Sequence, residues 1–469
     1  MKSMSYEAVM ARKNEIMQSS VGLDYSVYES GGVAFDYDRL MDDVALTLDE
    51  VLEIQLEMGV GNTPLRELKN VSALARKLAP EGKGARIMVK DEANNLSGSF
   101  KARRAAISVW DAKRKGYEGV IAATSGNYGA AVAALAARLG LKALIIQECY
   151  DSRMIGQPEI LEKQRACEAY GAEVVQLTVG PELFYEHLRL LEETGFYNAS
   201  LYTPYAIAGV ETLGYEIAQQ CRQQFGADPA VVVATNAGGG NLTGTARGLI
   251  KAGLKDTKVY AASVDLSGLS MASDLDFNKK SFTTGHTGFG VPYSTYPDRS
   301  DVPRNAARPL RYIDRYLLVK QGEVFYTTEM LSALEGMERG PAGNTSLAAA
   351  FALAQTMDKD DIIVVQETEY TGAGKHPSAQ LSFAEEQGIH LIIGDSEEEV
   401  PGKNIILPDH PSRIKVRDLD MDRLHTSALR HLVPEDGDVR ESDLEYIAVE
   451  INSSIAETKR LIEEMREEM

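Results

Sequence analysis

Cysteine is scarce in this chain. Cys149, Cys167 and Cys221 are the three among 469 residues, with no Cys-x-x-Cys or histidine-associated spacing. An odd, scattered set offers neither a disulfide framework nor a metal centre, and it fits a reducing compartment. Long apolar runs are missing as well. The opening stretch MKSMSYEAVMARKNEIMQSS has no apolar signal region, and no run approaches membrane-spanning length. A cytoplasmic location without a membrane partner is the expectation. Positive charge is short, with Lys+Arg 49 against Asp+Glu 69 and a net charge of −20. That balance argues against nucleic acid as a partner over most of the surface. Repeats and low-complexity segments are absent. What remains is a globular composition, 44% apolar and 25% charged, on a chain long enough for two lobes with appendages.

Residues 1–57 read as a separate helical extension. Tyr6, Val9, Met10, Ile16 and Met17 share one face at helical spacing, and Thr47 and Glu50 stand in capping-box register. From residue 85 the pattern alternates. Apolar runs ARIMV, GVIAA, KALIIQ, AEVVQL, AVVVAT, KVYAASV and DIIVVQ are separated by helical stretches such as AAVAALAARLG. Near-continuous apolar strands joined by helices predict α/β architecture, with two parallel-sheet lobes covered by helices on both faces. The catalytic region is expected over 58–385, with a smaller lobe at about 95–205 and a larger one from 58–94 plus 206–385. The stretch 266–320, rich in Gly, Pro, Tyr and Arg, breaks the alternation and is too long for a plain connector. Residues 386–469 form a C-terminal extension with one more strand-like run, IHLIIG. A charged terminal helix there has Leu444, Ile447, Ile451, Ile455 and Ile462 as an apolar stripe.

Three strand-to-helix junctions carry chemistry-bearing residues. In NNLSGSFKARRA a run of small residues and one ring lead into Lys101, more than a surface lysine needs. In ATNAGGGNLTGTARGL a strand runs into Gly238, Gly239 and Gly240 before a helix begins. Unhindered backbone N–H groups at the positive end of a helix there make a phosphate cup. In ATSGNYGAAVAALA, Thr124 and Ser125 offer donors suited to a carboxylate, and Asn127 offers an amide at a forced turn. A dinucleotide fingerprint would need its third glycine at 243, where Thr243 stands, and GKH at 374–376 lacks the rest of a Walker loop. Junctions of this kind converge at the carboxyl ends of a parallel sheet, where ligands of open α/β sheets bind. A cofactor held by a phosphate and by a lysine amine is pyridoxal 5′-phosphate (PLP).

The run K-x-E-x-x-N-x-x-G-S-F-K, from Lys90 through Lys101, resembles the lysine motif of the fold-type II PLP enzymes. These are the superfamily of tryptophan synthase β, cysteine synthase and threonine synthase. TSGN resembles their asparagine loop, GGGNLTG their phosphate loop, and YTGAGKHP the loop whose hydroxyl meets the pyridine nitrogen. The resemblance implies that Lys101 is the Schiff-base lysine and that Asn127 contacts the ring hydroxyl. It implies that Thr124 and Ser125 hold the substrate carboxylate, and that Gly238, Gly239, Gly240 and Asn241 hold the phosphate. Thr371 is implied at the pyridine nitrogen, with Ser346 in GPAGNTSLAAA as the competing hydroxyl.

Over its whole length the chain is similar to the family of PLP-binding β subunits of thiolases acting on 2-amino-4-oxopentanoate in ornithine fermentation. That similarity implies an acyltransferase cleaving the amino acid with coenzyme A to acetyl-CoA and D-alanine, a small α subunit as partner, and a dimer or higher oligomer. A PLP-dependent elimination or replacement enzyme, like threonine synthase or diaminopropionate ammonia-lyase, is the alternative. For a cysteine nucleophile the sequence offers Cys149, at the end of ALIIQ. For a countercharge to coenzyme A it offers Arg304, Arg308, Arg311 and Arg315.

Overall fold

A computed structural model of the chain describes residues 3–44, 46–151, 153–180, 182–266, 281–283, 294–370, 376–434 and 439–468. Its strands in chain order are β1 Leu65–Glu67, β2 Arg86–Asp91, β3 Gly119–Thr124, β4 Lys142–Tyr150, β5 Glu173–Thr178, β6 Tyr197–Asn198 and β7 Val231–Thr235. There follow β8 Lys258–Val264, β9 Arg315–Val319, β10 Ile362–Glu367, β11 His390–Gly394, β12 Asn404–Pro408 and β13 Arg417–Asp418. The larger sheet has the order β1-β2-β10-β7-β8-β9-β13. Only its two edge strands run antiparallel to their neighbours. The smaller sheet, β5-β4-β3-β6, is parallel throughout. The parallel pair β11-β12 stands apart.

The unbroken apolar strands have a simple cause. Along β7, Val232 and Ala234 join one core, while Val231 and Val233 join the other. Both faces are covered, so both sets of alternating side chains must be apolar. Helix Pro341–Ala354 lines one face, and Lys101–Arg114, Pro204–Phe225 and Gly240–Lys251 gather on the other.

Three expectations change. The N-terminal extension is not separate: Val9 and Ile16 are buried with Ile121 of β3 and Ile146 of β4. Its Thr47–Glu50 capping box forms, with Thr47 N donating to Glu50 Oε2 at 2.7 Å and Glu50 N to Thr47 Oγ1 at 3.3 Å. The stretch 266–320 ends in a strand, β9, which the arginine and tyrosine of RYLLV mask in the sequence; residues 267–280 and 284–293 lie outside those described. The terminal helix is two helices, Glu441–Glu450 and Ile455–Glu468. Asn452 takes a left-handed φ of 50° between them, which a short amide side chain tolerates better than most. Leu444, Ile447, Ile451 and Ile462 are buried, but Ile455, beyond the break, is exposed. Among the described residues no helix is long and apolar enough to cross a membrane.

Candidate active site

β2, β10 and β7 lie side by side in the larger sheet, and the segments leaving their carboxyl ends build the site together with the loop that follows β3 of the smaller sheet. After β2 the chain turns through Ser97 and Gly98, both left-handed at φ 64° and 72°. Phe100 N then donates to Thr368 O at 2.9 Å, and Tyr370 N donates to Gly98 O at 2.8 Å. The small residues before Lys101 are thus needed to turn the chain and lay it against the segment after β10. Lys101 opens the helix that follows. Lost hydration and then the nearby Arg104 push its ammonium down to about 8.

The motif residues ahead of the lysine form its foundation. Arg103 donates to Glu92 at 2.7 and 2.9 Å and to Glu216 at 2.9 and 2.8 Å, with its side chain fully buried. Lys90 Nζ donates to Glu216 at 2.7 Å, and Asn95 Nδ2 to Glu92 at 2.7 Å. Two cations meet two carboxylates, so the buried cluster is neutral. Burial alone would raise Glu216, but Arg103 and Lys90 outweigh it and hold the carboxyl at about 2.

At the glycine turn Gly239 has φ 78°, and a side chain there would strike Pro309 at 2.4 Å. A Cβ on Gly240 would lie 1.8 Å from Nη2 of Arg104. The helix Gly240–Lys251 starts at this turn, and the first N–H groups of a helix have no partner within it. Asn241 Nδ2 and Arg104 Nε are buried without a hydrogen-bond partner. At the asparagine loop, Thr124 Oγ1 accepts from Gly126 N at 2.9 Å and Gly129 N at 3.2 Å, fixing the entry to helix Asn127–Leu139. Ser125 and Asn127 are half-buried beside it, and Asn127 Oδ1 has no partner.

Other site-lining groups were not legible in the sequence. Glu369 has Oε1 near Gly343 N at 3.3 Å, and Oε2 accepts from Thr368 Oγ1 at 2.8 Å. Glu159 and Lys163 come from the helix Pro158–Ala169, and both act electrostatically on Lys101, as does Glu369. Burial, then Glu369, pushes Glu159 up to about 8. A Glu–Lys pair four apart reads as a solvated helix face, so no pattern marked these two. Arg104 stood one turn from Lys101, hidden in an Arg-Arg pair.

Thr371 lies outside the described residues. Ser346 is turned into its own helix, donating to Gly343 O at 2.7 Å. Cys149 is buried, which pushes its thiol up to about 11, the wrong direction for a nucleophile. The four candidate arginines are all ion-paired within the chain. Arg304 and Arg308 pair with Asp298 at 3.0 and 2.6 Å, Arg311 with Glu450 at 2.8 Å, and Arg315 with Asp418 at 2.9 Å.

The residues present fit PLP: a half-buried lysine of lowered pKa for an aldehyde, an orphaned amide oxygen for a ring hydroxyl, and a glycine turn with orphaned donors for a phosphate. The lysine supplies a check. Only the neutral amine attacks an aldehyde, so the rate at which apoprotein gains a visible band with PLP is expected to rise with pH through about 8. A midpoint at the ordinary 10.5 would contradict this environment.

Residues 56–369 match the family described as "Pyridoxal-phosphate dependent enzyme". A protein of Acetoanaerobium sticklandii named "2-amino-4-ketopentanoate thiolase beta subunit" is 62% identical over 467 residues, covering 99% of each chain. Another of the same name, from an unknown prokaryotic organism, is 60% identical over 449 residues, 95% of each chain. Among solved structures, the threonine deaminase of a T.th. strain superposes with a TM-score of 0.52 at 25% identity, covering 69% of this chain and 98% of that one. The chain therefore belongs to the pyridoxal-phosphate dependent enzymes and, within them, to the family of 2-amino-4-ketopentanoate thiolase beta subunits.

Proposed function

We infer that this chain is the PLP-binding subunit of a cytoplasmic enzyme that cleaves 2-amino-4-oxopentanoate with coenzyme A. The single observation carrying this reading is the 62% identity to a thiolase beta subunit over 99% of both chains. A beta subunit implies an alpha partner, here a small one, in a dimer or higher oligomer. In the net reaction the C3–C4 bond breaks and C4 bonds to the CoA sulfur. The thiol proton ends on C3, giving acetyl-CoA and D-alanine with every atom accounted for.

Bound PLP supplies the electron sink for charge left beside the substrate's amine. The chain's own residues bind, orient and move protons. Lys101 Nζ, low in pKa, serves as the base that takes and returns a proton at C2. Thr124 and Ser125 orient the substrate carboxylate, and Asn127 faces the ring hydroxyl. Gly238, Gly239, Gly240 and Asn241 receive the phosphate. Thr371 supplies the hydroxyl for the pyridine nitrogen; Ser346, the competing hydroxyl, donates to its own helix backbone.

With the alpha subunit added, the protein is expected to release acetyl-CoA and alanine in equal amounts from 2-amino-4-oxopentanoate, and none without coenzyme A. Release of ammonia or phosphate from an amino acid without coenzyme A would instead establish the elimination or replacement reading.

A further inference from the structure

We propose that Arg104 is the charged part of the cofactor's phosphate site, closing on the phosphate from the side of the lysine helix while the glycine turn receives it through its backbone. The proposal rests on the PLP reading above. A buried guanidinium needs an anion, because desolvating a lone charge is costly. Arg103, its neighbour, meets two carboxylates. Arg104 meets none among the described residues. It is 3% exposed, donates from Nη2 to the carbonyl of Leu201 at 2.7 Å, and leaves Nε without a partner. The titratable groups acting on it or on which it acts are Lys101, Tyr128 and Tyr202, none of them acidic at neutral pH. Burial lowers it only to about 10, so it stays a cation there.

Its position says which anion. The guanidinium lies against Gly240, where a Cβ would come within 1.8 Å of Nη2; only a hydrogen at that position allows the contact. The same turn carries the second orphaned donor, Asn241 Nδ2, and the open N–H groups of a helix start. A side-chain cation, an amide and backbone N–H groups gather at one turn, and the ligand with that many acceptors and charge is a phosphate ester. An arginine fork suits it better than an ammonium.

The test separates phosphate binding from folding and from capture by the lysine. Apoprotein is titrated with PLP and with pyridoxal, which lacks the phosphate, following the visible band each forms. Arg104→Met is expected to weaken PLP by roughly 10- to 100-fold, the range for hydrogen bonds to a charged group, and to leave pyridoxal unchanged. Arg104→Lys should fall between. Equal weakening of both ligands, or of neither, would overturn the proposal. Should Arg104→Met fail to fold, the phosphorus resonance of the wild-type holoprotein decides. It is expected to hold the dianion position as pH falls below the ordinary second phosphate pKa of about 6, and titration like free PLP would overturn the assignment. A wild-type protein that forms a band with neither ligand would overturn the cofactor reading and this proposal with it.

Discussion

Lys101→Ala is expected to lower turnover of 2-amino-4-oxopentanoate by roughly 10³-fold or more, within the range for one positioned acid–base group. The effect should fall on kcat, because the lost group acts on a proton at C2, whereas phosphate and carboxylate contacts stay in place. The fold should survive. Lys101 is half-buried at the first position of its helix, and the foundation beneath it is built from other residues. Steady-state kinetics with the alpha subunit and coenzyme A, beside a far-ultraviolet spectrum, give both quantities. An Ala variant of ordinary turnover would remove Lys101 from the chemistry.

Arg103→Ala is the second large effect, and it falls on stability. The substitution leaves Glu92 and Glu216 facing each other with only Lys90 in compensation. Removing one partner from a buried ion pair costs about 3–5 kcal/mol, a large part of the roughly 5–15 kcal/mol that holds a domain together. Urea unfolding of the apoprotein measures it, and a change under about 1 kcal/mol would mean water enters the cluster. The same cluster has an acid signature. Glu216 is held at about 2 against an ordinary 4.5, so its stabilisation is complete above about pH 4.5 and is lost as pH falls toward 2.

Much of the fold was written in local pattern. Short, β-branched apolar runs such as AVVVAT and DIIVVQ read as strands buried on both faces, and each became one. What local pattern could not carry was contact between distant segments. Val9 and Ile16 look like a self-contained helix face until the smaller sheet is present to cover them. RYLLV begins with a charge because Arg315 reaches Asp418 on β13, a partner far along the chain.

The site divides in the same way. Lys101, Gly239 and Gly240 stand out because a turn or a close approach admits few other residues. Glu159, Lys163 and Glu369 are ordinary letters on ordinary elements; only the folded chain brings them to the lysine. Arg103 and Arg104 are adjacent and identical in type, yet one is a structural cation locked to two carboxylates and the other faces the glycine turn. Helical phase separates them, and sequence gives that phase without saying what lies on either side.

The attachment point of the cofactor is the most direct test of this site. The purified chain is loaded with PLP, its visible spectrum recorded, and the complex reduced with borohydride, digested and mapped by mass. The expected outcome is a yellow protein that bleaches on reduction and carries one pyridoxyl group on Lys101. A colourless protein, or a label spread over other lysines, would contradict it, and the glycine turn would then belong to a different phosphate.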